Sequence, residues 1–176
     1  MRPRGFTLYE LLFTLAIAGI LLSLAAPSFA ELQRNAQRTT TVNEFFHAVF
    51  LARSEAIKRG GVVSICKSSN GRTCEHSGQW ANGWIVFTNL DRDEPPQVDA
   101  NETILRVYPG WRHGTVNSNR ASFSFRPTSQ GLVNGTIVFC DERGSREARA
   151  IIISHTGRPR VSKRDSENKP LKCASG

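Results

Sequence analysis

Met1-Arg2-Pro3-Arg4-Gly5-Phe6-Thr7-Leu8-Tyr9-Glu10 runs without a break into the uncharged stretch Leu11 to Ala30, and the reading of this segment decides the fold. Two arginines, a Gly-Phe step and one acid precede about twenty apolar or small residues, enough to span a bilayer as a helix. Glu10 is out of place in such a run. A carboxylate in lipid costs up to roughly 3 kcal/mol at the bilayer centre and less near the edge, so an acid here marks a functional position. A secretory signal peptide is the rival reading, with Arg2 and Arg4 as its basic region and Ser28-Phe29-Ala30 as a small-x-small cleavage site before Glu31. Such a signal has no use for Glu10, and the helical pattern continues past Ala30. The segment therefore reads as a retained anchor.

Beyond Pro27, which removes a backbone donor and should kink the helix, Leu32, Val42, Phe45, Phe46, Val49, Phe50, Ala56 and Ile57 recur at three- and four-residue steps. Arg34, Arg38, Glu44, Arg53, Glu55 and Lys58 take other positions. That spacing predicts an amphipathic helix over 31–59, stopped by Gly60-Gly61. A single helix from Phe6 to Arg59 would run about 80 Å. The aromatic stripe Phe45, Phe46 and Phe50 reads as a core face.

After Gly61 the texture changes to short runs rich in Val, Ile, Phe and Thr, separated by Gly, Asn, Pro and Asp. Strands are expected at 62–67, 84–89, 103–108, 122–126, 136–140 and 150–154. One helix followed by about six strands predicts an α+β fold, with the amphipathic face laid on a mostly antiparallel sheet. The chain of 176 residues is long enough for one such head with its own core. Its formal charge of +8 favours anionic partners or membrane surfaces and says nothing about fold. Four cysteines behind a basic tip that stays on the cytoplasmic side place the head in an oxidising compartment.

Gly5-Phe6-Thr7-Leu8-Tyr9-Glu10-Leu11 closely resembles the class III signal of type IV prepilins and type II secretion pseudopilins, Gly-Phe-Thr-Leu-x-Glu. The one departure is Tyr9, where an aliphatic residue is commoner. The resemblance implies cleavage by a prepilin peptidase between Gly5 and Phe6, N-methylation of Phe6, and a role for Glu10 in aligning each subunit with its neighbour. It also implies a leader over 1–5, a transmembrane and filament-core helix over 6–30, the amphipathic helix over 31–59 and a β-rich periplasmic head over 60–176. The partners implied are other pilins of the filament, the peptidase and the bacterial inner membrane, crossed once before assembly into a pilus or pseudopilus. Within this superfamily Gly83-Trp84-Ile85-Val86-Phe87, Ile104-Leu105-Arg106-Val107 and the turn from Phe125 to Gly131 look like the GspH/FimT group of minor pilins.

Other features of the head read as structural. The loop from Asp91 to Glu102 carries Asp91, Asp93, Glu94, Asp99 and Glu102, but a calcium site needs six to eight oxygens in set geometry and the spacing matches no such loop. Four cysteines allow three pairings. The simplest joins Cys66 to Cys74 around Ser68-Ser69-Asn70-Gly71, and Cys140 to Cys173 between a strand and the tail. Neither spacing resembles a zinc motif, and no metal is expected. Hydrolase, metalloprotease and phosphate-loop motifs are absent and the four histidines at 47, 76, 113 and 155 are scattered, so neither an enzyme nor a cofactor is expected. Trp80, Trp84 and Trp111 are expected in the core.

The tail carries Arg158, Arg160, Lys163, Arg164, Lys169 and Lys172 against Asp165 and Glu167. In Gly157-Arg158-Pro159-Arg160 the glycine permits a tight turn and the proline an extended backbone, so the two arginines would stand about 7 Å apart and suit phosphates. The segment resembles the C-terminal Gly-Arg-x-Arg motif of FimT-type minor pilins, which bind DNA during natural transformation. That resemblance implies DNA contact by Arg158 and Arg160, with Lys163 and Arg164 as further candidates. His155 beside them reads as a strand-end residue, with one more phosphate contact as the alternative. The alternative is a structural or priming minor pilin, or a type II secretion pseudopilin, whose basic turn contacts no DNA.

Overall fold

A computed structural model describes residues 7–128 and 133–173. Gly5, Phe6 and Gly131 lie outside them. The first helix, α1 (Leu8–Arg59), contains Pro27 within its span and crosses from one unit ending at Gln37 into a compact second unit, Arg38–Gly176. In the first unit the apolar side chains are uncovered: Leu8, Leu12, Phe13, Ile17, Ile20 and Leu24 are each at least half exposed. The helix is long and apolar enough to cross a membrane by length and composition. It ends in a Schellman motif, with Gly61 N–H donating to the Ala56 carbonyl (3.2 Å) and Gly60 N–H to that of Ile57 (3.4 Å). Gly60 takes φ +64°, open to glycine at little cost.

The strands of the second unit form two four-stranded antiparallel sheets where the sequence suggests one. The first is ordered β3 (Ile104–Pro109), β2 (Gly83–Asn89), β1 (Val62–Lys67), β5 (Ser122–Phe125), and the second β4 (Gly114–Ser118), β6 (Gly135–Asp141), β7 (Arg149–Ile153), β8 (Pro159–Ser162). Two strands, β4 and β8, are not legible in the sequence. Gly-Thr-Val-Asn-Ser buries one apolar side chain, Val116, and Pro-Arg-Val-Ser exposes Arg160 and Val161. Neither presents an alternating apolar face.

One core joins the helix to both sheets. Val42, Phe45, Ala48, Val49, Ala52 and Ala56 recur on one helix face and pack with Val63, Ile65, Trp84, Val86 and Phe123 of the first sheet and Val116, Ile137, Phe139 and Ile151 of the second. Phe45 is at its centre, 5.4–6.0 Å from the rings of Trp80, Trp84, Phe123 and Phe139, all in edge-on arrangement. The aromatic stripe is narrower than the sequence suggests. Phe46 and Phe50 pack against each other with ring centroids 5.0 Å apart and planes tilted by 60°, and Phe50 is 44% exposed.

Strand β2 is buried on both faces, which accounts for its unbroken apolar run. Trp84 and Val86 enter the main core, while Ile85 and Phe87 pack outward against Cys66, Cys74, Val98 and Ile104. Disulfides join Cys66 to Cys74 and Cys140 to Cys173. The second seats Leu171, 4% exposed, against Cys140, Ala148 and Ala150 on the outer face of the second sheet. By loop entropy the two bridges contribute about 2.5 and about 3.7 kcal/mol. Replacing Cys140 and Cys173 together by serine should therefore lower the urea midpoint more than the same change at Cys66 and Cys74, and equal midpoints would contradict the loop-length account.

Arg38 is a further departure from the sequence pattern, which puts it on the polar side of the helix. It is 4% exposed. Its Nη1 donates to the Glu147 carbonyl (2.6 Å) and to Asp141 Oδ2 (3.4 Å). Asp141 also accepts from Arg143 Nη2 (2.6 Å) and from the Arg143 backbone N–H (3.0 Å). Burial raises the Asp141 carboxyl, but the hydrogen bonds and charge of Arg143, with the charge of Arg38, outweigh it and hold the group below its ordinary range. Burial is also the main cause that lowers Arg38, followed by Arg149 and Arg143.

Candidate functional site

The basic tail begins in a hairpin whose turn the local sequence specifies. Strand β7 pairs with β8, Ile153 opposite Pro159 and Ile152 opposite Arg160. Between them the Ser154 carbonyl accepts from Gly157 N–H (2.8 Å), the Ser154 hydroxyl from Arg158 N–H (3.2 Å), and Ser154 N–H donates to the Arg158 carbonyl (3.1 Å). Gly157 closes the turn at φ +73°, a conformation side-chain-bearing residues rarely adopt. β8 is the edge of its sheet, where a proline is tolerated because its missing N–H faces no partner strand.

On this edge Arg158 and Arg160 are exposed and Pro159 between them is buried. Two residues apart on extended chain, the arginines share one face, about 7 Å apart along the backbone. Among the described residues neither guanidinium has an ion-pair partner. Lys163 is likewise exposed. Arg164 is not free in the same way: its Nη1 donates to the Asn168 carbonyl (2.9 Å), closing a second turn that Asp165 stabilises by accepting from the backbone N–H of Glu167 (2.9 Å) and Lys169 (2.8 Å). The structure thus brings Arg158 and Arg160 together and gives Arg164 a local occupation.

Glu10 has one too. Its Oε2 accepts from the Thr7 backbone N–H and hydroxyl, both at 3.1 Å, while Glu10 N–H donates to Thr7 Oγ1 (3.3 Å). This is a capping box, Thr7 at the N-cap and Glu10 three residues on. The signal was present in Thr7-Leu8-Tyr9-Glu10 as a Thr-x-x-Glu pattern ahead of an apolar run.

The remaining candidates are structural in placement. Trp80, Trp84 and Trp111 are 3%, 0% and 6% exposed, in the core as expected. In the acidic loop Glu102 spends its oxygens on the backbone N–H groups of Leu90 (2.6 Å) and Asp99 (3.1 Å), and Asp93 Oδ2 accepts from Gln97 N–H (2.8 Å). Among the described residues no group of three or more His, Cys, Asp or Glu is placed to hold a metal ion.

Residues 41–157 match the family described as type II transport protein GspH, and residues 1–26 match the prokaryotic N-terminal methylation motif. Two solved structures of the type IV minor pilin FimU of Pseudomonas aeruginosa, strain PAO1, share the fold. One, in space group P65, has TM-score 0.56 and 18% identity over 77% of this chain and 99% of that one. The other, in space group P21, has TM-score 0.55 and 19% identity over 81% and 98%. No curated protein matches the chain in sequence. With the family spanning helix and sheets, and the methylation motif at the start of an apolar helix, the chain belongs to the GspH family of membrane-anchored type IV pilins and pseudopilins.

Proposed function

We propose that this protein is a minor type IV pilin that assembles into a pilus and binds DNA non-specifically through Gly157-Arg158-Pro159-Arg160, supporting DNA uptake in natural transformation. The observation that carries the reading is the pair Arg158 and Arg160, both exposed on either side of the buried Pro159 where the edge strand begins. Two guanidinium forks so held present parallel donors to phosphate oxygens. Lys163 adds charge beside them, and Arg164 contributes through its remaining donors. The role is binding, with no catalytic step.

Assembly follows from the other end of the chain. A prepilin peptidase cuts between Gly5 and Phe6, the new Phe6 amine is methylated, and the helix over 6–30 anchors the protein in the inner membrane with its head in the periplasm. Glu10 then aligns the subunit with neighbouring pilins.

A second reading, a structural or priming minor pilin or a type II secretion pseudopilin, is favoured by the type II transport description of the matched family. On that reading Pro159 and Arg160 blunt an exposed sheet edge against pairing. A mobility shift with duplex DNA and the full chain in detergent micelles separates the two. DNA binding predicts a Kd of about 10⁻⁴ to 10⁻⁶ M at physiological salt, and a log–log salt slope that falls by about 1.8 in Arg158→Ala plus Arg160→Ala, at about 0.9 per phosphate contact. Binding unchanged in the double variant removes the arginine assignment. No binding by either protein selects the structural reading.

A further inference from the structure

Resting on the DNA-binding reading, we propose that the cleft between the Ser154–Arg158 turn, the end of α1 and the segment after β5 seats one backbone phosphate of the bound nucleic acid, held by Arg53, Arg126 and His155. The cleft has a volume of about 130 Å³, well below the roughly 300 to 1,000 Å³ of pockets that enclose a whole small molecule. It fits a single group, and its lining identifies which. Arg53 comes from α1, Arg126 and Thr128 follow β5, and His155, Thr156 and Gly157 belong to the turn. Three nitrogen-bearing side chains and two hydroxyls line it from separate parts of the chain, beside an apolar wall that includes Phe125 and Ile57, and among the described residues no Asp or Glu lines the space. Donors without a matching acid suit an anion with several oxygens.

Acids near the cleft in sequence are engaged elsewhere. Glu55, the carboxylate closest to Arg53 in sequence, is bound to Arg59 at 2.6 Å and lies 3.6 Å from Lys58. Among the described residues Arg53 and Arg126 form no ion pair.

Gly157 joins the cleft to the hairpin arginines. A Cβ there would lie 3.4 Å from two ring carbons of Phe125 and 3.9 Å from Arg53 Cδ. The turn is therefore laid directly on Phe125 and the stem of Arg53, and Arg158 is the next residue. A strand whose phosphates meet Arg158 and Arg160 has its adjoining phosphate within reach of the cleft, so the interface has two parts, an open edge and a recess.

The test compares the full chain in detergent micelles with three variants: Arg53→Gln plus Arg126→Gln, the charge-keeping Arg53→Lys plus Arg126→Lys, and Arg72→Gln plus Arg112→Gln as an equal loss of charge elsewhere on the head. In a salt titration of duplex DNA binding, the glutamine cleft variant should lose about 0.9 of slope, one phosphate contact, and roughly two- to fivefold in affinity. The lysine variant should keep the slope, and the Arg72 and Arg112 control should keep both. Equal losses in cleft variant and control overturn the cleft as a site and reduce it to net charge. Thermal midpoints matching the native chain exclude misfolding, and should the glutamine variant unfold early, loss of slope in the folded lysine variant overturns the proposal in its place. Inorganic phosphate, added at ionic strength matched with chloride, should weaken DNA binding by the native chain more than by the cleft variant; equal competition overturns the recess. Weaker binding in Arg158→Ala plus Arg160→Ala with an unaffected cleft variant removes this inference alone, whereas a native chain that binds no DNA removes both it and the reading beneath it.

Discussion

Phe45→Ala should lower the unfolding free energy of the head by about 3 to 5 kcal/mol, the range for removing a fully buried phenylalanine. Phe45 is 0% exposed and touches aromatic rings from the turn before β2, from β2 itself, from β5 and from β6. The substitution opens a void where helix and both sheets meet, and rigid rings collapse poorly into it. Urea unfolding of the full chain in detergent, followed by tryptophan fluorescence, reports it directly because Trp80 and Trp84 are two of the neighbours. Phe45→Leu refills part of the space and should recover much of the loss. Phe50→Ala is the internal control: at 44% exposure it should stay within about 1 kcal/mol of the native protein. A Phe45→Ala loss as small as that of Phe50→Ala would show that the helix is not seated as described.

The second large effect is electrostatic. Asp141→Ala leaves Arg38 buried without its carboxylate, and removing one member of a buried pair costs about 3 to 5 kcal/mol. The lower end is expected, since the Glu147 carbonyl still accepts from Arg38 at 2.6 Å and the Glu147 carboxylate lies 3.6 Å away. The pH dependence has a definite sign. With the folded carboxyl held below its ordinary value of 3.8, the unfolded state binds the proton first. The contribution is complete above the ordinary aspartate range and is lost as pH falls through 3.8 toward the lower folded value. Thermal midpoints between pH 3 and 7 should thus drop more steeply for the native chain than for Asp141→Asn, which has no proton to gain. Parallel curves would assign the acid response to other carboxylates.

What was legible in the sequence is what is written locally. The N-terminal signal and the glycine stop after Arg59 are contiguous, and six strands show themselves as β-branched and aromatic runs because one or both faces are buried. Pairing across the chain is not written that way. Arg38 looks like any other helix-surface charge until β6 brings Asp141 beneath it, and the cleft arginines, Arg53 and Arg126, carry no mark of convergence. Strand β8 was hidden for a different reason. It is an edge, held by backbone pairing to β7 rather than by apolar burial, so its residues are chosen for the outside. The tail arginines could be singled out because Gly157-Arg158-Pro159-Arg160 is a local pattern; the recess beside them depends on tertiary placement.

The Cys140–Cys173 bridge and Leu171 fasten the chain after β8 back onto the outer face of the second sheet. Segments of such composition elsewhere form loose arms that must surrender conformational freedom when they meet a charged polymer. Here that ordering is completed during folding, when the Cys140–Cys173 bridge closes. On the DNA-binding reading proposed above, Arg158, Arg160 and Lys163 would meet the polymer as a preorganised array, with a smaller ordering penalty on contact.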